Sequence, residues 1–225
     1  MKYKGIMFDF NGVILWDAVW QDQAWQEAAK ELRGRELAPQ EIQDFIRGTT
    51  NKEGFLFLLG EKRVNDEELN QLIFKKEENY RNIAIKQPGF HLSPGAVELF
   101  DFLKQSNIPF TIATSSEENN VQFFFKNLAL DKWFSIDGIV YDNGRMPSKP
   151  APDIYLKAAA KINVPPAECL VVEDAKSGIM SAHSAGIGKI IALGPVLKHE
   201  MFKALPGVSK IVTSLAEIGK EDFES

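Results

Sequence analysis

The chain has a single cysteine, Cys169, which excludes an internal disulfide framework and favours a reducing compartment. It directly precedes the apolar run Leu170-Val171-Val172 and reads as a small core residue. Long apolar runs are lacking as well. None approaches the roughly 20 residues of a membrane-spanning helix. The few apolar residues between Lys4 and Asp9 are too few for the core of a signal peptide. A cytoplasmic protein with no membrane partner is the expectation. Basic residues are outnumbered, 26 Lys and Arg against 31 Asp and Glu, and gather into no stripe, which argues against nucleic acid. His91, His183 and His199 are scattered and follow no zinc-ligand spacing. Internal repeats and low-complexity tracts are likewise missing.

What the chain does have is an alternation of short β-rich runs with helical periodicity. Strands are predicted over 5–10, 110–114, 138–141, 170–173, 189–193 and 210–213, nearly all apolar, as suits strands covered on both faces. Helices are predicted over 94–105, 117–128, 152–161 and 176–185. Ser93-Pro94 has the form of an N-cap followed by a first-turn proline, with Val97, Phe100 and Leu103 on one face. This alternation predicts an α/β fold, a doubly wound, Rossmann-like parallel sheet that binds ligands at the carboxyl ends of its strands. From 16 to 86 no strand is evident, only helical periodicity broken by Gly34, Pro39, Gly48 and Gly60. That interval predicts an inserted α-helical cap domain over the catalytic edge, with 1–15 and 87–225 forming the core domain. Links near 15–17 and 86–89 would let the cap open and close. Trp16, Trp20 and Trp25 are expected to pack within it, and Phe123-Phe124-Phe125 with Leu128 to bury a helix on the sheet.

Four remote segments then supply complementary chemistry at predicted strand ends. Asp9, after Ile6-Met7-Phe8, can attack phosphorus as a carboxylate nucleophile, dividing one displacement into two. Alone it would repel a phosphate dianion. Glu173-Asp174 suits Mg²⁺, which prefers hard oxygen ligands. Lys149 in Ser-Lys-Pro adds a cation on the transferring group. Thr114 or Ser115 can donate to a phosphoryl oxygen, Gly12 permits a sharp turn beside the nucleophile, and Gly178 allows close helix–sheet packing.

On the motifs Asp-Phe-Asn-Gly-Val-Ile, Thr-Ser-Ser, Lys-Pro-Ala-Pro-Asp-Ile-Tyr and Val-Glu-Asp-Ala-Lys-Ser-Gly-Ile, the chain resembles the haloacid dehalogenase superfamily. Within it, the resemblance is to the helical-cap branch of β-phosphoglucomutases and related sugar-phosphate phosphatases. The resemblance implies that Asp9 is nucleophile and Mg²⁺ ligand, and that Asn11 ligates through its main-chain carbonyl. It implies further that Glu173 and Asp174 complete the metal site and that Lys149 steadies charge. Thr114, Ser115, Ser116 and Gly12 would hold phosphate. Lys76, with Tyr80, falls where cap contacts to substrate are expected, although a solvated helix face is the preferred reading of both. A small phosphorylated metabolite is the implied partner, and a monomer or weak dimer the expected assembly.

Asn11 departs from the family, which has a proton-transferring Asp there. An amide has no proton to give at physiological pH, so slow turnover is expected. The turn that carries a phosphate-gripping arginine in the mutases is Gly48-Thr49-Thr50-Asn51 here, the hinge threonine and nearby histidine are Asp17 and Gln21, and Glu117-Glu118 replaces Lys-Asn. A phosphatase is therefore favoured over a phosphohexomutase. A binding protein that keeps the site without useful turnover is the alternative from another class.

Overall fold

The computed structural model describes residues 1–47 and 49–224; Gly48, in the stretch matched to the arginine-bearing turn, lies outside the described residues. In chain order the first elements are β1 (Gly5–Phe8), α1 (Ala18–Arg33), α2 (Pro39–Phe45), α3 (Asn51–Leu59), α4 (Asp66–Ala84) and α5 (Ala96–Gln105). They are followed by β2 (Phe110–Glu117), α6 (Glu118–Leu128), β3 (Val140–Asp142), α7 (Asp153–Lys161), β4 (Cys169–Glu173), α8 (Lys176–Ser184), β5 (Lys189–Leu193), α9 (His199–Lys203) and β6 (Val208–Val212). Two compact units result, one of Met1–Trp16 with His91–Ser225 and the other of Asp17–Phe90.

The first unit is a six-stranded sheet in the order β3-β2-β1-β4-β5-β6, every pair parallel. Strand order reverses at β1, which lies between β2 and β4, so the crevice outside the carboxyl ends of β1 and β4 is the topological switch point. Met7, Val171 and Ile190 share one face by register and pack with Ile154, Ala158, Ile179 and Ala182 of α7 and α8. On the opposite face Phe8 meets Phe100 of α5 edge-on at 5.4 Å. Apolar residues on successive positions of β1 thus serve two layers. Among the described residues, no helix is long and apolar enough to cross a membrane.

Several predicted boundaries shift, each for a tertiary reason. β1 stops at Phe8, because Phe10 leaves the strand to stack on Phe124 with ring centroids 4.2 Å apart. β2 continues past Thr114 to Glu117, since Glu117 still registers with Asp142 of β3. The sixth strand starts two residues early, at Val208, and Ile136–Gly138, partly assigned above to the third strand, is a 3₁₀ turn. Ser93 is not an N-cap: its hydroxyl donates to the Val13 carbonyl at 2.6 Å, and α5 begins after Gly95, whose φ of 82° is left-handed. The buried face of α5 is Ala96, Leu99, Phe100 and Leu103, with Val97 exposed.

Two helices of the helical unit, α3 and α4, begin with side-chain caps. Thr50 and Glu53 exchange hydrogen bonds at the start of α3, as do Asn65 and Glu68 at the start of α4. Its core gathers Trp25, Ala29, Leu37, Ile42, Phe55, Leu58 and Leu69, and Trp25 lies directly against Gly54. Trp20 is buried here, while Trp16 belongs to the other unit and is exposed, so the three tryptophans form no single stripe. Lys76 and Tyr80 are not on a solvated face. Both are buried: Lys76 donates to Asn51 at 2.9 Å and pairs with Glu77, its ammonium 4.5 Å from the Trp25 ring. The Tyr80 hydroxyl donates to Asp17 at 2.6 Å. Charge pairing and amide acceptors offset the cost of burying these groups, which helical periodicity alone did not reveal.

Cys169 is fully buried in the sheet, and burial, with the Glu168 charge, pushes its thiol up to about 12. The native protein should therefore resist a thiol-reactive disulfide reagent at mildly alkaline pH and react stoichiometrically only after unfolding. Fast labelling of the folded protein would contradict this packing.

Candidate active site

The register of β1 against β4 builds the site. Phe8 pairs with Val172, and the Asp9 amide donates to the Val172 carbonyl at 3.0 Å, so Asp9 and Glu173 emerge at neighbouring strand ends. The chain then turns sharply: Gly12, at φ 86°, donates its amide to the Leu15 carbonyl at 2.7 Å. Gly12 also makes room, because a β-carbon there would overlap the Asp174 carboxylate. Gly178, in the first turn of α8, has the same relation to the Glu173 carboxylate. Two glycines are therefore conditions for two carboxylates to fit.

Lys149, from the segment between β3 and α7, is the hub. Its buried ammonium donates to Asp9 Oδ1 and to Glu173 Oε1, each at 2.6 Å. Glu173 Oε1 also accepts the Tyr155 hydroxyl at 2.9 Å, while Oε2 accepts the amides of Asp174 at 2.9 Å and Ala175 at 3.0 Å. Carboxylate oxygens of Asp9, Glu173 and Asp174 lie within 4.8 Å of one another. Lys198, in the segment after β5, approaches Asp174 Oδ2 at 3.6 Å from the more open side.

These groups perturb one another strongly. Burial pushes the Asp9 carboxyl up to about 8; Glu173 and Asp174 push the same way, and Lys149 opposes them. Burial works to lower the Lys149 ammonium, but Asp9 and Glu173 together outweigh it and hold that group well above the usual lysine range. Asp9 and Glu173 thus share a single buried ammonium, with the Asp174 carboxylate beside them, so that acidic groups outnumber the buried cation. That excess of negative charge, carried by hard oxygen donors close enough to share one small ion, fits a divalent cation.

The hydroxyl motif occupies the end of β2. Thr114 Oγ1 is buried and accepts the Ser116 amide at 3.1 Å, and Ser116 Oγ donates to Asn11 Oδ1 at 2.7 Å. Ser115 lies between them, half-buried. The structure therefore joins Asp9, Gly12, Lys149, Glu173 and Asp174 through direct contacts, and Asn11 with Ser116 and Thr114 through others. Lys76 belongs to the helical unit. Sequence inspection missed Tyr155 and Lys198. The hydroxyl-bearing aromatic two residues into the helix after the lysine segment was a usable signal for Tyr155. Lys198 had none, being an ordinary lysine 24 residues from Asp174.

The sequence model described as haloacid dehalogenase-like hydrolase matches residues 3–186. The chain belongs to that family. It is 30% identical over 151 residues to the phosphorylated carbohydrates phosphatase of Thermotoga maritima, spanning 67% of this chain and 68% of that one. To the β-phosphoglucomutase of Bacillus subtilis it is 30% identical over 195 residues, 82% of this chain and 80% of the other. Among solved structures, a family IA, variant 3 hydrolase from Entamoeba histolytica superposes with a TM-score of 0.89 at 38% identity, covering 98% and 97% of the two chains. The six-stranded parallel sheet is the fold of this hydrolase family.

Two outcomes are expected of this charge cluster. In the metal-free fold burial raises the Asp9 carboxyl to about 8, from an ordinary 3.8. With chelator present, stability should therefore fall as pH rises between those values, because the folded state binds the extra proton. Asp9→Asn should remove that part of the slope in chemical denaturation, and an identical slope in the variant would contradict the assignment. Gly178→Ala, which drives a methyl group into Glu173, should cost about 1–3 kcal/mol of stability, measured by urea unfolding.

Proposed function

We propose that this protein is a Mg²⁺-dependent phosphatase of small phosphorylated metabolites, sugar phosphates foremost, with Asp9 as nucleophile. The observation that carries the proposal is the placement of Lys149 at 2.6 Å from both Asp9 and Glu173, at the switch point of the sheet. The names of the relatives support the substrate class: phosphorylated carbohydrates phosphatase, and hexitol phosphatase A of Escherichia coli at 29% identity.

In this reading Asp9 attacks phosphorus, the ester P–O bond breaks, and an aspartyl-phosphate forms. Water then attacks phosphorus and regenerates the carboxylate, so that ester plus water gives alcohol plus inorganic phosphate. Lys149 Nζ withdraws charge from the transferring group, and hydroxyls or amides at the end of β2 hold its oxygens. Asp9, Asp174 with Glu173, and the Asn11 carbonyl would hold Mg²⁺, which when bound neutralises the phosphate charge facing the nucleophile. Lys76, in the helical unit, is the proposed contact to the unreactive part of the substrate. Its ammonium is already matched by Glu77, which favours a polyol there over a second phosphate and so a phosphatase over a mutase. The protein would act in the cytoplasm, as a monomer or weak dimer.

Asn11 sets the rate in this proposal. Its Oδ1 accepts from Ser116 Oγ, so its other terminus is the Nδ2 donor, which can bind an oxygen but cannot protonate a leaving alkoxide. The proton must come from water, which makes turnover slow and favours, as second reading, a protein that binds phosphoesters without useful catalysis.

A panel of sugar and polyol phosphates, assayed for phosphate release with Mg²⁺ and with EDTA, separates these readings. Slow, Mg²⁺-dependent release is expected, and Asn11→Asp should raise it by about 10²–10⁴-fold. A flat response from both proteins would overturn the enzyme reading. Bisphosphate-dependent conversion of β-glucose 1-phosphate to glucose 6-phosphate would establish the mutase instead.

A further inference from the structure

We propose that Tyr155 is a positioning residue for phosphoryl transfer: its hydroxyl holds Glu173 so that Lys149 stays shared with Asp9 instead of being drawn onto Glu173. The inference rests on the reading of Asp9 as nucleophile and assigns a role to a residue outside the acidic cluster.

Two donors meet at one oxygen of Glu173, and one of them is shared with Asp9. Glu173 Oε1 accepts from Lys149 at 2.6 Å and from the Tyr155 hydroxyl at 2.9 Å, and the same ammonium reaches Asp9 Oδ1 at 2.6 Å. All three groups are buried, so little solvent screens them. A donor on Oε1 takes up part of that oxygen's negative charge and weakens its hold on the ammonium. Without the hydroxyl, Lys149 would be the sole donor to that oxygen, and Glu173 would hold more of its charge, leaving less for the nucleophile and the phosphoryl group.

Glu173 is also saturated. Two donors meet Oε1 and two main-chain amides meet Oε2, which uses the roughly four acceptor sites of a carboxylate. Besides its place in the acidic cluster, it therefore fixes Lys149 and the Asp174–Ala175 backbone. The same ring lies 5.1 Å from the Lys149 ammonium, a contact that phenylalanine preserves.

Tyr155→Phe therefore removes the hydroxyl alone. Measured on the full chain with the best substrate of the panel, kcat should fall by about tenfold, as for loss of one hydrogen bond to a charged group. KM and the Mg²⁺ Kd from calorimetry should stay within about twofold of wild type on the same grounds. Beryllofluoride, which mimics a phosphorylated carboxylate, should bind the variant several-fold more weakly in ¹⁹F NMR titrations. Thermal unfolding of the variant establishes that it folds. An unchanged kcat and beryllofluoride affinity, or a kcat loss matched by an equal loss of Mg²⁺ affinity, would overturn the proposal. Should wild type neither release phosphate nor capture beryllofluoride, the nucleophile reading fails and this inference with it. A competent wild type with an identical variant removes Tyr155 alone.

Discussion

The ammonium of Lys149, buried between Asp9 and Glu173, is the interaction on which the rest of the site depends. Removing carboxylates from water is expensive, and removing one partner of such a cluster leaves charge uncompensated. Around this hub each neighbour has a definite task. Tyr155 and two main-chain amides occupy the remaining acceptor sites of Glu173, and two glycines make the space for Glu173 and Asp174. The carboxylates still outnumber the ammonium, which makes the cluster receptive to a cation and, once neutralised, to a phosphate.

The sheet makes this concentration of charge possible. β1 and β4 are hydrogen-bonded neighbours, buried on both faces, so their ends have little freedom to separate and relieve repulsion. Packed apolar layers resist small displacements because interiors are as dense as molecular crystals. The packing of the fold thereby keeps the Asp9 carboxyl buried beside two other acidic groups, which raises it above the usual carboxylate range. A hydrolase of this family needs such rigidity, since its charges must stand near where charge develops.

Asn11 differs by one group from the aspartate of the proposed reaction and matches it in size. Its carbonyl oxygen accepts from Ser116, a bond that an aspartate oxygen would also accept, and the turn through Gly12 depends on main-chain geometry alone. In the proposed reaction, binding and proton transfer would separate at this position. The helical unit makes a parallel point with Lys76 and Tyr80, charged or polar residues of a long helix that are buried because Glu77, Asn51 and Asp17 partner them.

By itself the sequence determined the alternation of apolar strands and amphipathic helices, and with it the parallel sheet and the strand-end positions of Asp9 and Glu173. These follow from local periodicity and backbone preference; β5, bounded as expected at Lys189 and Leu193, is the clearest case. Where a residue's partner lies far along the chain, local pattern misled. Ser93 bonds Val13 across 80 positions, Phe10 leaves its strand for Phe124, and Lys76 reaches Asn51 across 25. Only the tertiary structure decided that Tyr155 and Lys149 meet on one oxygen of Glu173, because a hydrogen bond is set by distance in space and carries no signature in sequence separation.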